Sequence, residues 1–221
     1  MSNGYAMPPR RPPQPPPRSY AGQTSEARTS ARRAQFIEAG KVLFGSVGYR
    51  KTTVRTLCKE AGLTDRYFYE SFATIEDLLV AVYETLTLQL QEEIVRAVQG
   101  ASPRAGIPRR IEIGLEAFFA QVEDPVLARI VWLEVLGVSP RVDALYNQAT
   151  RGFAEMFSAL SRSVAPDIKV RSTLEPVIAL GVVGALSELA KDWLMTGYTR
   201  PRAQLVKAGS VILQGVAAAA T

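Results

Sequence analysis

From about residue 25 onward, apolar side chains return three or four positions apart, the spacing of one helix face and not of a strand. Residues 25–46 place Phe36, Gly40, Leu43, Phe44 and Val47 on one stripe, and Gly48 ends the run. Two short helices are expected next, at 53–61 and 64–71. Thr74 can cap a fourth helix, with Asp77 in its first turn against the positive end of the helix dipole. Ile75, Leu78, Leu79, Val82, Leu86, Leu90 and Ile94 give that helix a long apolar face. The stretch GASPRAGIP at 100–108 breaks the pattern, and a fifth helix is expected over 108–122. Asp124-Pro125 and Ser139-Pro140 each read as an N-cap followed by a first-turn proline, so they start helices six and seven, the latter ending near Val164. Helix eight is expected over 172–196, with Pro176 tolerated near its start and Gly197 and Pro201 closing it. Helix nine covers 202–219. No stretch keeps a strand period and no repeat of solenoid length occurs, so the expected fold class is all-α, with about nine helices.

Residues 1–25 stand outside this scheme. Their PPRRPPQPPPR run has no apolar period and cannot bury a core, so a disordered, polyproline-like tail is expected. Its arginines also suit a basic arm touching phosphates, and a PxxP ligand is an unspecific alternative. Charge sharpens the division. Residues 1–33 carry six arginines against one glutamate, residues 34–73 have a net charge of +2, and residues 74–221 have a net charge of −2. The positive excess is confined to the N-terminal third, which suits a DNA-binding end joined to a near-neutral body.

The 221-residue chain has one cysteine, Cys58, and no histidine. An intramolecular disulfide is thereby excluded, and the commonest general base and metal ligand are missing. No catalytic, metal or cofactor site is expected. The longest uncharged apolar stretch, 176–187, falls short of the ~20 residues that span a bilayer. Prolines replace the apolar segment of a secretory signal, so a cytoplasmic protein with no membrane partner is expected.

Residues 53–72 concentrate the chemistry. Thr52 or Thr53 can cap the first short helix, and Val54, Leu57 and Cys58 share a face that must pack inward. Ala61 is small enough for a close crossing, Gly62 allows the positive φ of a turn, and Leu63 fills the angle between the helices. Thr64 can cap the second helix, with Asp65 at its positive end. Phe68 and Phe72, four apart, anchor that helix and leave Arg66, Tyr67, Glu70 and Ser71 outward. This is the arrangement of a helix-turn-helix that lays its second helix in the major groove.

The fixed residue types closely resemble the TetR family of bacterial transcriptional regulators. The residues that carry the likeness are Gly48-Tyr49, Thr52-Thr53-Val54, Ala61-Gly62, Thr64, Phe68-Tyr69 and Phe72, within about 34–82. The resemblance implies a DNA-binding domain at 26–73 and a ligand-binding and dimerisation domain at 74–221. It implies phosphate contacts from Thr52, Thr53 and Tyr69, with Thr64 also at the interface. By their chemistry, Arg66 and Tyr67 are the candidates for base edges, an arginine fork on guanine contributing ~1–3 kcal/mol of discrimination. Asp65 either accepts from cytosine or only serves the helix dipole. Ser71 replaces the family's usual histidine and Ile75 a common lysine. Both positions often meet phosphate, so anchoring there should weaken. Lys51 and Lys59 are either phosphate contacts or solvated lysines.

The body carries an aromatic cluster. Tyr83, Leu86, Phe118, Phe119, Trp132, Phe153 and Phe157 are candidates to line a pocket for a small apolar or aromatic ligand, although core packing would explain most of them. Glu134, in the apolar run IVWLEVLG, either orients such a ligand or forms a salt bridge. Gly181, Gly184, Ala185 and Gly209 offer the small surfaces that the family uses in a four-helix dimer interface. The expected protein is thus a homodimeric, ligand-responsive regulator on palindromic double-stranded DNA, with repression as the default. The alternatives are a DNA-binding dimer with no ligand, or a helical enzyme or carrier using the aromatic pocket.

Overall fold

Residues 25–165 and 173–219 are described by the structure, a computed structural model. The Pro/Arg-rich tail over residues 1–24 and the expected start of helix eight at 172 lie outside them. Among the described residues the α-helices are α1 (Ser25–Ser46), α2 (Val54–Ala61), α3 (Asp65–Ser71), α4 (Ile75–Gln99), α5 (Ile107–Val122), α6 (Pro125–Arg129), α7 (Pro140–Val164), α8 (Glu175–Met195) and α9 (Arg202–Ala219). No strand occurs among the described residues, and the fold class is all-α. A 3-10 turn, Tyr49–Lys51, precedes α2, and a π-helical turn, Ile130–Glu134, continues α6.

Local chemistry starts these helices. The Thr53 hydroxyl accepts the Thr56 N–H at 3.2 Å while the Thr56 hydroxyl accepts the Thr53 N–H at 3.0 Å, a reciprocal cap. Thr74 and Asp77 repeat the device at α4. Asp124 accepts from Val126 N–H and Ser139 from Val142 N–H, each with a proline directly behind it. Gly62, with φ of 64°, makes the turn between α2 and α3.

Those starts feed one continuous core around α4, which packs on α1, α5 and α7. Phe36, Phe44, Leu57 and Phe68 have no solvent exposure, and each such side chain contributes about 1.5–3 kcal/mol by burial. Phe36 meets Phe68 edge-on at 5.4 Å, which seats α3 on α1. Val47, placed by its spacing on the same stripe, is instead 46% exposed because α1 stops at Ser46. Two glycines let α1 approach the body. A Cβ at Gly40 would lie 2.9 Å from Val82, and one at Gly45 would lie 2.9 Å from the Val126 Cα. α1 therefore lies directly against α4 and α6.

At the far end, α7 packs on α8 and α5 on α9. Trp193 Nε1 donates to the Arg200 carbonyl at 2.8 Å and the Tyr198 hydroxyl donates to the Val122 carbonyl at 3.0 Å, binding the α8–α9 corner to α5. Among the described residues no helix is long and apolar enough to cross a membrane.

Candidate DNA interface and ligand cavity

The α2–α3 unit presents a defined outer surface. Arg66 has a side chain 82% exposed and Tyr69 is 62% exposed. Thr53, Thr64, Asp65, Lys51 and Lys59 are also exposed. Thr64 occupies the cap position of α3 but its hydroxyl makes no capping bond, leaving it free toward solvent, while Asp65 Oδ1 accepts the Arg66 N–H at 2.9 Å. Arg66 Nε donates to Glu70 Oε1 at 3.0 Å, one turn along the same helix. The guanidinium is thus held along the outer face of α3 with its terminal nitrogens clear of Glu70.

Three of the sequence-derived contacts sit differently. Thr52 is buried and its hydroxyl donates to the Gly48 carbonyl at 2.9 Å, so it fastens the turn before α2 instead of presenting itself to phosphate. Ser71 directs its Oγ inward, where it is buried with no partner, because the end of α3 is pressed against α1. Tyr67 is half-buried, with the Arg32 guanidinium 4.4 Å over its ring, so it offers an edge and not a free side chain. The element that does this was not visible in the motif. Arg32 and Arg33, on the first turns of α1, reach across α3. Arg33 Nη1 donates to the Ser71 carbonyl at 2.8 Å and stacks on Phe72, and Arg32 pairs with Glu70 at 3.6 Å. Nothing in the local spacing reveals a contact made 38 residues away.

The body holds a partly open cavity of about 540 Å³ between α4, α5, α7, α8 and α9, within the ~300–1,000 Å³ range of small-molecule sites. Its aromatic wall is Tyr83, Phe118, Trp132, Tyr146, Phe153 and Phe157. Ile94, Leu115, Ile178 and Val182 add aliphatic surface. Burial pushes the Tyr83 phenol well above its ordinary pKa, with Tyr146 adding to the effect, so the hydroxyl stays protonated and able to donate. Arg110, Arg162 and Glu175 stand among the polar lining. Arg110 is already engaged, donating to the carbonyls of Val98, Ser102 and Ala105. Arg162 pairs with Glu175.

Leu86, Phe119 and Glu134 do not line this cavity. Leu86 is core, and Phe119 turns from the cavity onto Trp193, with ring centroids 6.0 Å apart. Glu134 leaves the body altogether. Its Oε1 accepts from Arg129 Nε and its Oε2 from the Tyr49 N–H, both at 2.7 Å. Among the described residues no three His, Cys, Asp or Glu side chains lie close enough to hold a metal ion.

The outer side of α8 and α9 is open. Val177 and Val211 are each 67% exposed, and Gly181 and Gly184 have free space where a Cβ would stand. Gly209 differs. It is buried, and a Cβ there would meet Leu115 at 3.0 Å and Leu186 at 3.2 Å, so its small size serves packing inside the chain.

An exposed second helix on a helix-turn-helix, set on a helical body with a largely apolar cavity, defines a DNA-binding regulator with a separate chamber. Residues 36–82 match the family described as bacterial regulatory proteins, tetR family, which supports the TetR-like reading of the DNA-binding end. Members are transcriptional regulators and not enzymes. The chain is 24% identical over 165 residues to the HTH-type transcriptional activator FasR of Mycolicibacterium smegmatis, covering 74% of this chain and 72% of that protein. Its fold is similar to that of the fatty acid degradation regulator FadR of Bacillus halodurans, with a TM-score of 0.72, 21% identity and coverage of 83% and 95% of the two chains. It is also similar to FadR of Bacillus subtilis in complex with stearoyl-CoA, with a TM-score of 0.66, 19% identity and coverage of 81% and 96%.

Proposed function

We propose that this regulator binds a palindromic operator as a homodimer through residues 26–73, and that a long-chain acyl ligand entering residues 74–221 releases it. Thr53, Thr64, Asp65, Arg66 and Tyr69 would meet the DNA, with Tyr67 offering its edge. Arg66 would read a guanine and the hydroxyls would meet phosphate. The open α8–α9 face would pair with a second copy, setting two recognition helices ~34 Å apart. Acting on chromosomal DNA would place the protein in the cytoplasm.

The cavity carries the ligand reading. Its wall is aromatic and aliphatic, with a few polar groups among the lining, which suits a molecule with a long apolar part and a polar end. The FadR structure with stearoyl-CoA supports an acyl thioester as the first probe. A DNA-binding dimer without a ligand has no use for such a space.

Selection of bound sequences from random duplexes would give the operator. Titration of stearoyl-CoA, with and without that operator, then tests the coupling. DNA and ligand should weaken each other by the same factor. Equal ligand affinity in the two titrations would remove ligand control, and no selected sequence would remove the regulator reading. The activator named among the relatives favours a second sign of control. A reporter driven from the selected operator distinguishes activation from repression.

A further inference from the structure

Glu134 touches the turn before α2 while belonging to the same π-helical turn as two residues of the cavity wall, Val131 and Trp132. Its carboxylate accepts the Tyr49 N–H at 2.7 Å and Arg129 Nε at 2.7 Å. Arg129 Nη1 in turn donates to the Ser46 carbonyl, the last of α1, at 2.9 Å. Gly48 has a φ of 93°, and a Cβ there would lie 3.1 Å from both Glu134 oxygens and from Arg129 Nη2. The positive φ favours glycine here, and its bare backbone leaves room for the charged pair to come down onto it. The Glu134 side chain is 14% exposed, so these charge-assisted bonds are largely shielded from water. Thr52 carries the contact onward through its hydroxyl bond to the Gly48 carbonyl, and Thr53 then caps α2.

The same π-helical turn faces the cavity. Val131 and Trp132, three and two residues before Glu134, line it. π-turns are rare and concentrate at functional positions. Sliding such a turn by one residue rotates each side chain by about 100° around the helix axis. A slide of this turn that displaced Trp132 would therefore also move the Glu134 carboxylate.

We propose that Glu134 is a positioning residue for DNA recognition, which an occupied cavity withdraws from the Tyr49 amide by moving the Ile130–Glu134 turn. The proposal rests on ligand-controlled DNA binding and assigns it a route through α6 to α1 and α2. Loss of the carboxylate leaves the Tyr49 N–H without its partner. The start of α2 is then no longer fixed relative to the body, and the recognition helices lose their spacing.

The test fills the cavity without any ligand. Thr150 lines it, and Thr150→Phe places a ring inside; Ser187→Phe, from the α8 wall, replaces it should that variant not fold. Hydrogen exchange of the Tyr49 amide and affinity for the selected operator are measured in the native, Glu134→Ala and Glu134→Gln backgrounds. In the native background, filling should speed Tyr49 exchange and lower operator affinity, each about fivefold or more. In Glu134→Ala, exchange is already fast and filling should change operator affinity less than about twofold. Glu134→Gln, which keeps a carbonyl acceptor for Tyr49, should recover part of the response, a rescue that general destabilisation would not give. An equal response in all three backgrounds, or none in the native one, overturns the proposal. Failure of stearoyl-CoA to bind sinks the choice of ligand alone. Failure to bind any duplex sinks the regulator reading, while amide exchange still reads the Glu134 contact.

Discussion

Phe68 shows how much one residue carries in the DNA-binding unit. It is fully buried and contacts the rings of Phe36, Tyr69 and Phe72. Phe68→Ala should lower unfolding stability by roughly 3–5 kcal/mol, measured by chemical denaturation. Asp77 makes a different kind of statement. It caps α4 and also accepts from Arg141 on α7 at 2.6 Å. The bond from Arg141, followed by that from Thr74, holds its pKa below the ordinary aspartate value. A depressed folded pKa means stability that is fully present above about pH 4 and lost as pH falls through the lower, folded value. The native protein should therefore exceed Asp77→Asn by a constant margin in melting temperature above about pH 5. That margin should shrink toward pH 3; a margin independent of pH across this range would show that Asp77 acts through shape alone.

At the scale of elements, the packing of α1 on α6 is the tightest seam. Gly45→Val would drive side-chain atoms into the Val126 backbone, which cannot yield as a flexible side chain would. A loss of about 1–3 kcal/mol is expected from thermal unfolding. Helix positions were largely legible in the chain because their signals are local: Thr53, Thr74, Asp124-Pro125 and Ser139-Pro140 each act within one turn. The π-turn was not, since IVWLEVLG has the same apolar character in either helix type. The partner of Glu134 was hidden for another reason, being 85 residues away in sequence and a backbone N–H that any residue but proline possesses. Neighbouring Phe118 and Phe119 mark the limit for the cavity. Both are apolar aromatics on α5, yet one lines the space and the other packs on Trp193, because adjacent helical residues point about 100° apart. The exposure of Arg66 was readable because Phe68 and Phe72 fix the orientation of α3, whereas the same anchors also suggested Tyr67 and Ser71, which α1 partly covers.

At the scale of the molecule, Val177 and Val211 are apolar side chains left largely uncovered by the described residues. Val177→Glu should yield a monomer by analytical ultracentrifugation with unchanged helicity. Its operator affinity should drop by about 100-fold or more as the benefit of two linked half-sites is lost. Retention of a native dimer would move the interface elsewhere. Ligand binding should also be visible without DNA. At a free concentration of about 100 times its Kd, the ligand adds ~2.7 kcal/mol to folding, or roughly 5–10 °C in Tm for a chain of this length.

That last effect reaches beyond the operator. A body with some 540 Å³ of space between its helices is a packing left incomplete, and whatever enters it adds to that packing. Proteases that degrade transiently opened chains would consequently clear the empty form faster than the filled one. Cells lacking the ligand would hold fewer copies of the regulator. Its own turnover would then record metabolic supply, independently of which promoters it occupies.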